Sequence, residues 1–146
     1  EERMGLNFDD YAREGKEFMH KLAKDLGHPD REDQAAILLR AVLHTLRDRI
    51  AIAENLHIVA QLPMFLKAIY VDQWSYSLDV DRIKTAREFA ERVEHYQELL
   101  GEKRFDWKAP TEELITRVLA AVERYLTEGE IADVKSELPE EIAALV

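Results

Sequence analysis

The chain contains no cysteine. That excludes disulfides, iron–sulfur clusters and thiolate zinc sites together. Its five glycines and four prolines are too few in 146 residues for a collagen-like repeat, a linker or a disordered tract. No apolar run reaches the length of a membrane-spanning helix. Positive charge is the minority sign: 20 Lys and Arg stand against 30 Asp and Glu, a net charge of −10. Charge-driven binding to nucleic acid or to anionic lipid needs a basic surface, so neither nucleic acid nor membrane is an expected partner. The first residues, Glu1-Glu2-Arg3-Met4-Gly5, lack the apolar core of a secretory signal, and the expected location is the cytoplasm. Residues 1–7 read as an N-terminal extension, with Glu1 to Arg3 preceding a native Met4.

What is present is apolar spacing of helical period nearly everywhere. Leu38, Leu39, Val42, Leu43, Leu46 and Ile50 recur in steps of three, four and one, which draws a single stripe along a helix. Phe18, Leu22 and Leu26 do so upstream, Phe89, Val93 and Leu100 later, and Leu114, Val118, Val122 and Leu126 later still. No segment alternates apolar and polar residues as a strand would. The punctuation fits the same reading. Asn7 is placed to cap a helix from Phe8 to Leu26, and Gly27 to end it in the left-handed conformation. Asp30 is placed to cap the next helix, to about Arg49. Pro63 and Pro139 fall at helix starts, where a missing N–H costs nothing. Gly101 closes a helix beginning near Asp81, Thr111 caps the following one, and Thr127-Glu128-Gly129-Glu130 has the spacing of a capping box.

The chain also resembles itself. With Leu62-Pro63 set on Leu138-Pro139, the offset is 76, and Val42-Leu43 falls on Val118-Leu119, Glu54 on Glu130 and Ile58 on Val134. Upstream the offset drops to 74, which sets Leu26-Gly27 on Leu100-Gly101. The expected fold is therefore all-α: one helical domain over 8–146, a duplicated bundle of two units of three to four helices, about 8–72 and 81–146. The connector from Val71 to Val80 has no glycine or proline and reads as packed.

Several of these residues carry a resemblance to a known family. The run Ala41-Val42-Leu43-His44-Thr45-Leu46-Arg47-Asp48-Arg49, then Glu54, Ala60-Gln61-Leu62-Pro63 and Phe65-Leu66-Lys67-Ala68-Ile69-Tyr70-Val71-Asp72-Gln73-Trp74, resembles the bacterial family DUF2267. Glu137-Leu138-Pro139 departs from its Gln-Leu-Pro at one position. The resemblance implies a helical, duplicated fold. It implies no activity, cofactor or partner, and it brings no catalytic residue to carry over.

The chemistry in the residues is sparse. Glu-x-x-His occurs twice, as Glu17-Phe18-Met19-His20 and Glu54-Asn55-Leu56-His57. Metal-binding bundles use this spacing when both side chains project into the core. Here the apolar stripes, taken through Leu22 and Leu26 in the first case and through Ile52, Leu56, Val59 and Leu62 in the second, predict that both pairs point at water. No metal site, no cofactor and no catalytic residue is expected. Two groups stand out as binding candidates. Arg40, His44 and Arg47 recur at i, i+4 and i+7 on what reads as the outer face of the second helix, fit to meet an acidic partner, a phosphate or the acidic side chains of a neighbouring helix. Tyr70, Trp74 and Tyr76, with Asp72 between them, read as an aromatic seam between the two units, with Phe105 and Trp107 in the corresponding later loop. The expected function is a non-catalytic interaction or regulatory module that meets a protein partner or a second copy of itself. The alternative is a small-molecule binder or enzyme with an aromatic pocket at that seam.

Overall fold

The computed structural model describes residues 6–75, 82–101 and 105–146. Among them are eight helices and no strand: α1 (Phe8–Asp25), α2 (Glu32–Arg49), α3 (Ile52–Gln61), α4 (Met64–Val71), α5 (Ala86–Leu100), α6 (Thr111–Glu123), α7 (Glu128–Glu137) and α8 (Glu140–Ala143). The all-α expectation holds. Tyr76, the rest of the connector to Val80 and Asp81 itself lie outside the described residues; residues 82–85 are not helical, so the helix expected from near Asp81 starts only at Ala86.

Local chemistry explains most of the boundaries. The Asn7 side chain accepts from the amide of Asp10 at 3.1 Å and starts α1. Gly27 ends it with φ of +87°, a conformation that costs other L-residues energy. α2 begins one residue later than expected: Arg31 holds the cap position and Asp30 makes no capping bond. α5 starts at a full capping box, in which Thr85 accepts from the Glu88 amide at 3.0 Å and Glu88 accepts from the Thr85 amide at 3.1 Å. Pro110, rather than Thr111, holds the cap position of α6.

α2 is the axis of the fold. It packs against α5, α1, α4 and α6, which together cover it on nearly every side. The consecutive residues Ala41, Val42, Leu43, His44, Thr45, Leu46 and Arg47 are all buried, which a helix with one wet face does not allow. Around them Leu22, Leu66, Tyr70, Phe89, Leu114 and Ile115 complete one continuous core. α3 and α7 pack against each other, away from the long helices' main contacts.

Candidate functional site

The basic residues of α2 and the aromatic connector form one constellation. Arg47 donates through Nη1 to the carbonyls of Tyr70 at 2.6 Å and Asp72 at 2.8 Å, and through Nη2 to the carbonyl of Gln73 at 3.3 Å. Its guanidinium also lies 5.7 Å from the centre of the Trp74 ring. One turn earlier, His44 Nε2 meets the carbonyl of Ile69 at 2.9 Å. Another turn earlier, Arg40 pairs with the Asp72 carboxylate at 2.9 Å. The carbonyls at the end of a helix are its unsatisfied, negative pole. α2 thus presents three side chains that cap and neutralise the end of α4.

This geometry corrects the outer-face reading. His44 and Arg47 are only 3% and 5% exposed, and Arg40 is half-buried. The reason is that α4 and α5 occupy the side of α2 that looked free. Burial, first of all, lowers the His44 pKa to about 4, helped by Arg47 and Arg40. His44 is therefore neutral near pH 7, and its Nε2–H is the donor to Ile69.

The aromatic seam is packed at Tyr70 and half-exposed at Trp74. Tyr70 is fully buried, and its hydroxyl donates to Asn55 Oδ1 at 2.5 Å. Asn55 Nδ2 in turn donates to the carbonyls of Arg47 and Ile50, which fixes the corner between α2 and α3. The empty space beside Tyr70, shared with Leu43, Ile58 and Leu119, is about 20 Å³. That is room for about one water molecule and not for an organic ligand. Two open features lie elsewhere. A shallow groove of about 480 Å³ runs between α1 and α4, floored by Tyr11, Gly15, Met19, Phe65 and Ile69 and flanked by Glu32 and Asp33. A cleft of about 280 Å³ is lined by Gln34, Arg87, Gln97, Phe105, Trp107 and their neighbours. Trp107 Nε1 is buried there without a hydrogen-bond partner. The Phe105 and Trp107 rings pack edge-on against His28, and Arg31 lies 4.9 Å from the Phe105 ring centre.

The residues that sequence reasoning misplaced are at the α3–α7 contact. Glu54 and Glu130 are the third residues of their helices, and both turn inward, 8% and 5% exposed. The α3 stripe was taken through Leu56, which is 57% exposed; the buried stripe runs instead through Glu54, Asn55, Ile58 and Leu62. Glu17 and His20 point outward as expected, and so does His57. The Thr127 hydroxyl accepts from the Glu130 amide at 3.1 Å, but the Glu130 carboxyl does not return to close the box. Gln61 Oε1 takes the Thr127 amide at 2.9 Å in its place. Reciprocally, Glu137 Oε1 accepts from the Ala51 amide at 3.1 Å. Each helix thus caps the start of the other with its own last residue, which leaves both first-turn glutamates free to meet. Burial raises the Glu130 pKa to about 8, and the facing Glu54, then Asp133 and Glu137, push it the same way.

A family model described as an uncharacterized conserved protein (DUF2267) matches residues 15–145, and the chain belongs to that family. No curated protein matches it. No helix among the described residues is long and apolar enough to cross a membrane.

Proposed function

We propose that this member of the DUF2267 family is a non-catalytic interaction module of the bacterial cytoplasm, built from two repeated helical units, and that it receives an amphipathic helix of a protein partner in the groove between α1 and α4. The observation that carries this reading is the division of labour among its residues. The buried charged and aromatic groups of α2 and α4 are bonded to one another, whereas the apolar floor of the α1–α4 groove is open. Met19 and Phe65 are only partly covered there, and Phe8, just beyond, is 68% exposed. A trough between two helices fits a third helix. The occupant should carry basic residues on its outer flanks, because Glu32 and Asp33 edge the groove and the chain carries −10. The same charge opposes a second copy.

The test is an amphipathic Leu/Lys peptide titrated into the protein at about 0.15 M ionic strength, where exposed charges further apart than about 8 Å are screened. Amide shifts should be confined to α1, α4 and the first turn of α2, and Met19→Glu should weaken binding about tenfold or more. Shifts scattered over the acidic surface, or none, would overturn the reading. Groove shifts that grow with protein concentration alone would assign the surface to a second copy.

The alternative, a small-molecule binder, is favoured by one observation at the other aromatic loop. Trp107 Nε1 is an unpaired buried donor on a cleft with Gln34, Arg87 and Gln97. A metabolite with an acceptor for that N–H would change tryptophan emission in the wild type and not in Trp107→Phe.

A further inference from the structure

Glu54, Glu130 and His57 offer one ligand atom each, and the three atoms lie within 4.8 Å of one another. Glu54 Oε2 and Glu130 Oε2 are both buried and have no hydrogen-bond partner in the protein. His57 Nδ1 lies 3.6 Å from Glu54 Oε2, with its ring largely in solvent. Neither glutamate forms an ion pair with a lysine or arginine among the described residues. A buried carboxylate left without such a partner is costly unless a proton or a metal ion neutralises it.

We propose that these three side chains bind one divalent first-row transition-metal ion, of the zinc type, between α3 and α7. The donor set is mixed, two carboxylate oxygens and one imidazole nitrogen, which suits zinc and its neighbours and does not suit magnesium or calcium, whose sites are made of oxygen. The span is within reach of side-chain movement. Ligands at about 2.0–2.2 Å from a tetrahedral zinc stand about 3.3–3.6 Å apart, so atoms spread over 4.8 Å must close by a little more than about 1 Å. His57 is the exposed member and is free to move. The surroundings favour a cation: Asp133 and Glu137 add negative charge at Glu130, and no basic residue is among the main influences on it. His57 follows Glu54 by three residues, so α3 supplies an acid and, one turn on, a second donor type. A glutamate followed three positions later by a histidine is a pair that helical bundles use to hold metals. A proton shared between the two carboxyls would satisfy them but would leave the His57 nitrogen idle. The ion uses all three, and it displaces the proton on binding.

The bound ion would clasp α3 to α7 and leave at least one coordination position facing His57's solvent side. The test is calorimetric titration of Zn²⁺ into the full chain after chelator treatment, in two buffers of different protonation enthalpy, with Co²⁺ absorption as a second readout. Expected are one ion per chain, release of protons, and a visible cobalt band of low-symmetry coordination. Glu130→Gln should abolish uptake. His57→Ala, at an exposed side chain that the fold does not need, should weaken uptake about tenfold or more, and His95→Ala should leave it unchanged. Absence of saturable uptake by the wild type would overturn the proposal and leave a shared proton as the pair's only occupant. Uptake undiminished in both Glu130→Gln and His57→Ala would overturn it equally, since the ion would then sit on the acidic surface.

Discussion

The guanidinium of Arg47 donates to the main-chain carbonyl of Tyr70 at 2.6 Å, so a side chain in the last turn of the fold's central helix holds the end of a short one. α4 is eight residues long and too short to persist by its own hydrogen bonds. Its end is held by the Arg47 fork, the neutral His44 and the Arg40–Asp72 pair.

Arg47→Met therefore removes more than a charge. It leaves the carbonyls of Tyr70, Asp72 and Gln73 without their donor, the first buried and the other two half-buried. A hydrogen bond to a charged group contributes about 1.5–3 kcal/mol, so a loss of about 3 kcal/mol is expected. The urea midpoint should fall at constant slope. Lysine restores the charge without the fork and should recover only part of the loss. An unchanged midpoint would mean that α4 is held by Tyr70 and Leu66 packing alone.

His44 gives the protein an acid-side limit. Its folded pKa, about 4, lies below the ordinary histidine value of about 6.5, with burial the main cause. Above about 6.5 both folded and unfolded chains are neutral there, and no stability is lost. As pH falls below that, the unfolded chain takes up a proton that the folded chain refuses, so stability declines down to about pH 4. His44→Gln keeps an amide donor for the Ile69 carbonyl and does not titrate. It should flatten this decline, on the order of 2 kcal/mol, in urea midpoints measured across the range.

How much of this was legible depended on whether a signal was local. Asn7 and Gly27 act on their own helix ends, and their residue types announce it. Helical period along α1, α2, α5 and α6 is equally local. Arg40, His44, Arg47, Tyr70, Asp72 and Trp74 were all picked out by spacing, yet as two surfaces, because nothing in the spacing says that α4 folds back along α2. The clue was in the run Ala41-Val42-Leu43: three consecutive apolar residues cover three sides of a helix and leave no outer face. Glu54 was misread because the apolar stripe ending at Leu62 can be drawn back through Val59, Leu56 and Ile52 or through Ile58, Asn55 and Glu54, and the first, free of a carboxylate, looked more buried. Only the reciprocal caps from Gln61 and Glu137 turn the glutamates inward, and those contacts span 66 and 86 residues.

Gly27 isolates backbone strain from packing. A Cβ added there would meet no atom within 4 Å, but the residue's φ is +87°. Gly27→Ala should cost about 1–2 kcal/mol through the left-handed conformation alone. Gly15→Ala provides the contrast: its backbone is helical, and the new Cβ would sit 3.4 Å from Phe65 Cβ. There the gain in helix propensity, up to about 1 kcal/mol, offsets a tight contact, and thermal midpoints should shift little. A Gly27→Ala protein as stable as wild type would show that the turn relaxes to negative φ.

The Glu54–Glu130 pair sets the opposite pH limit. The Glu130 pKa is raised to about 8 by burial and by the facing carboxylate. Below the ordinary carboxylate range both folded and unfolded chains hold the proton, and the pair carries no penalty. As pH rises from there to about 8, the unfolded chain releases the proton and the folded chain keeps it, so stability falls; above about 8 the whole penalty is present. Glu130→Gln keeps the shape and offers its amide to the Glu54 carboxylate without titrating. With chelator present, wild-type stability should drop between about pH 5 and pH 8.5 by an amount on the order of a few kcal/mol, and the variant's should stay nearly level. The two curves should meet at the acid end and part at the alkaline end. If they run parallel throughout, Glu130 ionises as freely in the folded chain as in the unfolded one, and α3 and α7 separate before it titrates.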